Sequence, residues 1–454
     1  MLSSAGPSHE RCSLSRTLVG FPPVVTLVAS ISSSSRQTIE QRIQALVQAY
    51  PLLACSVADA RTRQPRFQPL DQSDEALARS IIRDVNVKTS VQDIFLKEIA
   101  DKIDIETQPL WRLSFYPHEE PDRNYLALSA NHILTDGRGL ANLLQALLSD
   151  SQLPSPPCIA PKLENLHNVK PQTFTLLKAA FHHFVKPHLP LFLQPADKLF
   201  WPTSEAILKR PAECEDAVRV FFIPASVMSS VRQQAKDRQD IKTLVCSSFA
   251  YRISLMYLQQ PVIFAVTQLS LLQAIGEASQ PLLITGSTPK ALRPTTVAIT
   301  GNYTGTVSTD VTTTSNASIW ELAATHRQAL DKSTTASELD TLGLLAHVPD
   351  SPTYTSSEYG TEWESFFASK LEKHASFTGT FELSNLGKVD VEEVWFSQVA
   401  NPGEEAMHVN VISGSDGKLG VVVSYRKGSL DEGIMDQMVG RFQEIMKETA
   451  EGQA

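Results

Sequence analysis

Asn131-His132-Ile133-Leu134-Thr135-Asp136-Gly137 is the stretch on which the fold assignment depends. It follows residues 125–130, which have the alternating pattern of a strand. It precedes residues 140–148, whose leucines recur on one helical face. His132 is therefore predicted at a strand-to-helix junction, where functional side chains commonly emerge from a rigid scaffold.

A histidine followed four residues later by Asp-Gly has the parts that acyl transfer needs. Because an imidazole titrates near neutrality, His132 can remove a proton from an attacking hydroxyl. Asp136 can fix the chain through backbone hydrogen bonds or an arginine partner, and Gly137 permits a tight turn into the next helix. On the pattern alone, a buried histidine followed by an ordinary Asp-Gly turn explains the residues equally well.

The flanking sequence predicts an α/β fold of strands interleaved with helices. Strands are predicted at residues 23–29, 110–115, 125–130, 218–223, 262–267, 409–413 and 419–425, and helices at residues 39–50, 74–85, 140–148, 225–235, 241–258 and 434–445. The Asp-Gly pair inside residues 414–418 predicts a hairpin between the last two strands.

A chain of 454 residues is long enough for two lobes. A proline-rich boundary at residues 153–161 divides it into an N-terminal lobe, residues 1–160, a crossover, residues 161–210, and a C-terminal lobe, residues 211–454.

Residues 174–201 are apolar and aromatic, with lysines and histidines interleaved. One interpretation is an amphipathic segment that touches a membrane or a lipid droplet. The other is a crossover that packs its apolar side on the protein. The second is favoured because Pro187 and Pro190 interrupt any long helix.

Composition limits the classes of partner. A dispersed net charge of -9 argues against nucleic acid or an anionic membrane as the main partner. The five cysteines show no C-x-x-C spacing, and His182-His183 has no carboxylate or thiol at ligand spacing, so no metal site is expected. Without the features of a signal peptide or a transmembrane segment, the sequence predicts a cytoplasmic protein, which we expect to be a monomer.

Several motifs resemble one known group in order along the chain. Residues 131–139 resemble the signature of the CoA-dependent acyltransferase superfamily, which includes chloramphenicol acetyltransferase, plant BAHD acyltransferases, peptide-synthetase condensation domains and fungal alcohol acetyltransferases. Further matching segments are Pro109-Leu110-Trp111-Arg112, Arg293-Pro294, Gly301-Asn302-Tyr303 and Ser384-Asn385-Leu386-Gly387.

The resemblance implies two chloramphenicol acetyltransferase-like subdomains, with mixed sheets flanked by helices and an active-site tunnel between them. It implies His132 as the base, with Asp136 and Gly137 as structural support and Arg293 as the ion-pair partner of Asp136. Acetyl-CoA or another acyl-CoA would be a co-substrate, with no permanently bound cofactor and a hydroxyl, less readily an amine, as acceptor. Ser384 and Asn385 are candidates for the oxyanion donor or the tunnel wall, although a polar bend within a strand explains them as well.

The sequence departs from the patterns of two branches of the superfamily. Condensation domains usually carry two consecutive histidines, but Asn131 occupies the first position here. The plant D-F-G-W-G motif is absent, and residues 381–387 stand in a comparable place. Both features favour alcohol acetyltransferases. Acyl transfer from a carrier protein and a non-catalytic binding role remain as alternatives.

Overall fold

The structure, a computed structural model, describes residues 9–149, 152–155, 157–190, 193, 199–238, 248–276, 281–293, 299–348, 360–373 and 377–453. These residues form fourteen α-helices and thirteen strands. The helices are α1 (His9–Leu18), α2 (Ser35–Ala49), α3 (Asp74–Ile81), α4 (Val91–Ala100), α5 (Gly137–Leu148), α6 (Leu163–Leu166), α7 (Thr173–Ala180), α8 (Ala225–Asp237), α9 (Ser248–Ile275), α10 (Ile319–Lys332), α11 (Thr335–Glu338), α12 (Asp340–Leu344), α13 (Glu362–Lys373) and α14 (Glu432–Glu451). The strands are β1 (Val24–Ser32), β2 (Cys55–Ala58), β3 (Arg66–Pro69), β4 (Ile82–Asp84), β5 (Trp111–Pro117), β6 (Arg123–Asn131), β7 (Asp216–Ile223), β8 (Leu283–Ala291), β9 (Thr304–Thr312), β10 (Gly379–Lys388), β11 (Val394–Gln398), β12 (Glu405–Ser413) and β13 (Leu419–Arg426).

The first sheet has the strand order β11-β1-β6-β5-β4. β1 lies between β11 and β6 and runs antiparallel to both. Its residues are buried except for the last, which accounts for its nearly continuous apolar sequence. Since β11 comes from the C-terminal part of the chain, this sheet is closed by a segment far away in sequence.

The second sheet has the order β7-β13-β12-β10-β8-β9. β10 runs parallel to both β12 and β8, whereas the other pairs are antiparallel. The register places Glu382 beside His408 and Ser384 beside Asn410. Polar residues on β10 and β12 therefore lie side by side.

An apolar cluster joins the two sheets. It contains Ile94 and Phe95 of α4, Val28 of β1, Val218 of β7 and Trp395 of β11. Two larger clusters fill the interiors of the lobes on either side. The predicted α/β class with mixed sheets is confirmed.

Three strands and the C-terminal hairpin were predicted correctly from local sequence patterns. The strands predicted at residues 110–115, 125–130 and 218–223 are β5, β6 and β7, and the hairpin predicted near the C-terminus is β12–β13, in which Ser413 pairs with Leu419. The predicted helix at residues 74–85 is shorter, because it ends at Ile81 and β4 then pairs with β5.

The strand predicted at residues 262–267 was wrong, because these residues lie inside α9. The five residues from Val262 to Val266 are completely buried. A helix segment covered on all sides shows no polar face, so its period cannot be distinguished from that of a buried strand. The first part of the helix predicted at residues 241–258 lies outside the described residues, and residues 248–258 are helical.

Within the crossover, α7 does not pack its apolar side on the protein in the way the sequence favoured, whereas Trp201 is buried. α7 contains no fully buried residue, and Phe174 and Leu177 are 78% and 63% exposed. Phe184, in the turn that follows, is 68% exposed. Within the described ranges, no helix is long and apolar enough to span a membrane.

Candidate active site

A cavity of about 670 Å³ includes His132 in its wall. Its lining comes from many parts of the chain, including α1, the segment after β6, the β8–β9 region and the C-terminal strands. Lining residues of these four parts include His9, Cys12, Ser13 and Arg16; His132, Asp136, Gly137 and Arg138; Pro289, Arg293, Asn302 and Thr304; and Glu382, Ser384, Asn385, Gln398, Glu405 and His408. The cavity is thus built from both sheets and from the N-terminal helix.

The local hydrogen bonds hold the backbone of His132 at the end of β6. Its N–H donates to the Pro23 carbonyl at 2.8 Å. The side chain of Asn131 accepts from Ile133 N at 3.0 Å and donates to Thr17 at 3.1 Å. Asn131 therefore stabilises the turn, at the position that corresponds to the first of the two consecutive histidines of condensation domains.

Asn302 contacts both the backbone and the ring of His132. Its Nδ2 donates to the His132 carbonyl at 2.6 Å, and its Oδ1 lies 3.1 Å from His132 Nδ1. A backbone carbonyl can only accept, so the amide orientation places Oδ1 toward the ring. Nδ1 must then carry the hydrogen, which leaves Nε2 unprotonated in the neutral imidazole.

A bridge between distant segments brings Asn302 to this position. Gly301 N donates to the Leu134 carbonyl at 2.7 Å, and Gly301 also pairs with Thr135. Gly301 has φ +91°, and an added Cβ would lie 2.8 Å from the ring of Tyr303. Glycine is therefore required here by both conformation and space.

Burial lowers the pKa of His132, although the bond to Asn302 and the charge of Asp136 act in the opposite direction. The neutral ring is favoured at neutral pH for this reason. A neutral imidazole with a free Nε2 can accept a proton.

Asp136 is occupied by structural contacts. It caps α5 by accepting from Gly139 N at 2.9 Å, and it accepts from Tyr303 N at 2.9 Å. Arg293 forms an ion pair with its Oδ1. Burial alone would raise the pKa of Asp136, but Arg293 and the two N–H groups outweigh it and the pKa is lowered. The carboxylate thus joins the start of α5 to the segment that carries Asn302.

Gly137 is the first residue of α5 and has no positive φ. The expected role in a tight turn was wrong. An added Cβ would lie 2.8 Å from Phe396 Cζ and 3.0 Å from Leu386. The glycine provides room for the Phe396 side chain of β11, which packs against the start of the helix.

Ser384 and Asn385 lie on β10 and both line the cavity. The register with β12 shifts after Asn385, because the strand is irregular there. Asn385 Oδ1 accepts from Gly387 N at 2.8 Å, whereas its buried Nδ2 has no hydrogen-bond partner in the described part of the chain. Asn385 thus lines the cavity and keeps a buried N–H donor without a partner in the described part of the chain.

Sequence reasoning missed several residues of the cavity. Gly301-Asn302-Tyr303 was recognised as a motif, but the contact of Asn302 with His132 was not predicted. Glu382 and His408 could have been found as polar residues inside apolar strands, a pattern that is costly without a partner or a function. Within the described ranges, no three His, Cys, Asp or Glu side chains are grouped so as to hold a metal ion.

A family model identifies the family, and similar solved structures share the fold. Residues 82–447 match the family model of alcohol acetyltransferases. No curated protein sequence matches the chain. Trichothecene 15-O-acetyltransferase TRI3 from Fusarium sporotrichioides is 13% identical, with a TM-score of 0.61 over 98% of this chain and 94% of that one.

Two further solved structures share the fold. Wax ester synthase/diacylglycerol acyltransferase from Marinobacter aquaeolei VT8 is 12% identical, with a TM-score of 0.55 over 95% of both chains. The EpoB cyclization-docking bidomain from Sorangium cellulosum is 13% identical, with a TM-score of 0.59 over 98% of this chain and 84% of that one. Because the family match covers most of the sequence, the chain belongs to the alcohol acetyltransferase family and is an acyltransferase.

Proposed function

We propose that the protein transfers an acyl group, acetyl in the first instance, from acyl-CoA to a hydroxyl of a small or medium apolar acceptor. His132 is the general base. The observation that carries the proposal is the pair of contacts between Asn302 and His132, which leaves Nε2 unprotonated beside a cavity of about 670 Å³. A secondary metabolite is one kind of acceptor that fits this size.

The proposed reaction is direct transfer without an acyl-enzyme. His132 Nε2 takes the hydroxyl proton as the oxygen attacks the thioester carbonyl carbon, and a tetrahedral oxyanion forms. When the C–S bond breaks, Nε2 returns the proton to the CoA sulfur, so that the ester and free CoA thiol leave. Holding both substrates in one cavity removes the entropic cost of bringing them together at the reactive step.

Other residues of the site position the base or stabilise charge. Asn385 is our candidate donor to the oxyanion, because its buried Nδ2 has no partner in the described residues. Ser384 is a wall residue beside it. Asp136, Gly137 and Arg293 support the segment that carries His132 and have no step in the chemistry.

The central experiment is incubation with acetyl-CoA and a panel of alcohols, with release of CoA thiol and mass spectrometry of the ester as readouts. His132→Ala should lower turnover by roughly 10²- to 10⁴-fold while the melting temperature is kept. His347→Ala, at an exposed position outside the cavity, is the matched control.

The outcomes separate the alternatives. Ester formation only from a carrier-protein thioester would favour the condensation-type reaction, and ligand binding without thiol release would favour a non-catalytic role. Turnover that survives His132→Ala would contradict the proposed base.

We also propose that the protein is a cytoplasmic monomer that touches a lipid surface through the exposed side chains of Phe174, Leu177 and Phe184. Exposed Lys178 stands among them and can meet anionic headgroups. In vesicle flotation, replacement of the three apolar residues by serine should abolish binding, whereas Val87→Ser, at another exposed apolar position, should not. Absence of the unchanged protein from the lipid fraction would contradict the contact.

A further inference from the structure

A second polar cluster lies in the wall of the same cavity as His132. It consists of Glu382 on β10 with Glu405 and His408 on β12. Glu382 and His408 are neighbours in the parallel register of these strands, and Glu382 Oε1 lies 3.6 Å from His408 Nδ1. None of the three has a part in the proposed transfer step.

His408 presents a hydrogen-bond donor without a partner. Its side chain is 5% exposed. Gln398 Nε2 lies 2.9 Å from His408 Nδ1 and donates also to Glu382. An amide nitrogen only donates, so the neutral His408 accepts at Nδ1 and carries its hydrogen on Nε2, and a protonated His408 carries one there as well. The buried Nε2 has no partner among the described residues.

The carboxylates of the cluster are the cavity acids without a lysine or arginine partner among the described ion pairs. Asp136 pairs with Arg293, Glu404 with Arg16, and Glu338 with Lys290. Glu405, by contrast, accepts a hydrogen bond from the hydroxyl of Ser287 at 3.2 Å and one from backbone N–H, but forms no ion pair with a lysine or arginine within the described residues.

The pKa values of Glu405 and His408 are both raised in this cluster. Burial raises the pKa of Glu405 to about 7, and the charge of Glu382 adds to this rise. Burial lowers the pKa of His408, but the neighbouring Glu382 outweighs it and the pKa is raised. The site therefore offers carboxylate oxygens that accept and an imidazole N–H that donates.

We propose that Glu382, Glu405 and His408 bind a second hydroxyl group of the acceptor, one that is not acylated. A hydroxyl can donate to a carboxylate and accept from His408 Nε2 at the same time, whereas an ammonium group has no lone pair for the imidazole. The acceptor class is thus a diol or polyol on an apolar frame. This inference rests on the proposed function.

Glu382 lies on the same cavity wall as the other site residues of β10. Glu382 and Ser384 are two residues apart on one face of β10, which corresponds to about 7 Å along the strand. The positive charge that His132 gains on protonation also favours the ionised form of Glu382. Because the cluster and His132 line one cavity, the second hydroxyl would belong to the same acceptor molecule.

The test compares straight-chain α,ω-diols, from butanediol to decanediol, with the n-alcohols of equal length as acceptors for acetyl-CoA. The measured quantity is the ratio of kcat/KM for the diol to that for the matched alcohol. A diol offers two equivalent ends, so a ratio of about two is statistical. At the chain length that spans the site we expect a ratio of roughly tenfold or more, since an unmatched buried polar group costs about 1–3 kcal/mol.

Glu382→Gln and His408→Phe should each reduce the ratio toward the statistical value, because one removes the charged acceptor and the other removes the donor. Glu392→Gln, at a surface position in an ion pair with Arg123, is the matched control and should keep the ratio. Comparing two substrates within each variant corrects for any loss of folded protein.

The failures are distinguishable. If n-alcohols are acetylated but no diol exceeds the statistical ratio, or if the preference persists in both variants, the second-hydroxyl site is overturned and the cluster holds solvent only. If neither series releases CoA thiol, the proposed function fails, and the inference fails with it.

Discussion

The side chain of Asn302 makes two contacts with His132, one as a hydrogen-bond donor and one as an acceptor. The amide nitrogen of Asn302 donates to the His132 carbonyl at 2.6 Å, and the amide oxygen faces the His132 ring at 3.1 Å. One side chain therefore fixes both the position of the histidine backbone and the tautomer of its ring. The residues are 170 positions apart in sequence, so the protonation state of the base depends on packing between the two halves of the chain.

Asn302→Ala should lower kcat by about 10²-fold, because the ring loses the acceptor that holds hydrogen on Nδ1. The KM for acetyl-CoA should change much less. Asn302→Asp places a carboxylate beside Nδ1 and should raise the pKa of His132, which would move the acid limb of the pH profile to higher pH. An unchanged profile in the aspartate variant would count against the tautomer role, and steady-state kinetics across pH measures both effects.

Activity of the unaltered protein should be full at pH 7 and should fall only at acid pH. The base must be neutral to accept a proton, and burial lowers the pKa of His132 from its ordinary 6.5. As pH falls through the lowered pKa, the ring becomes protonated and kcat/KM is lost. A profile of kcat/KM against pH, measured with a saturating second substrate, should have its inflection below 6.5, and an inflection above that value would contradict the direction of the shift.

The Asp136–Arg293 ion pair should behave as one structural unit. The side chains are 3% and 10% exposed, so Asp136→Asn or Arg293→Met leaves its partner buried without its counter-charge and should cost about 3 kcal/mol or more in the free energy of unfolding. The double variant should lose less than the sum of the single losses. Urea unfolding measures the cycle, and strict additivity would show that the two residues do not act together.

Gly137→Ala should destabilise the protein by about 1–3 kcal/mol, since the added Cβ meets Phe396 at 2.8 Å. Helix propensity by itself predicts the opposite sign, as alanine is favoured over glycine by about 1 kcal/mol. Gly440→Ala in α14 is the matched control, because nothing lies within 4 Å of its added Cβ and the change should stabilise. Phe396→Leu combined with Gly137→Ala should recover part of the loss. Thermal unfolding of the four proteins distinguishes the steric from the propensity effect.

Local sequence was sufficient where the residue types themselves keep a clear period, even though residues 126–130 are all buried. The strand at residues 125–130 and the helix at residues 140–148 show their periods clearly, and the junction between them was predicted to carry His132. The same reasoning failed for residues 262–267, since complete burial removes the polar face that would reveal a helix.

The sequence by itself determined the α/β class, the strand-to-helix junction at His132 and the order of the motifs, because each depends on residues that are close together along the chain. Only the tertiary structure decided which ring nitrogen of His132 is free, that β11 closes the first sheet, and that Glu382 lies beside His408. These features come from contacts between segments far apart in sequence. Their geometry is set by how the two sheets and their cores pack, which no local pattern of residues records.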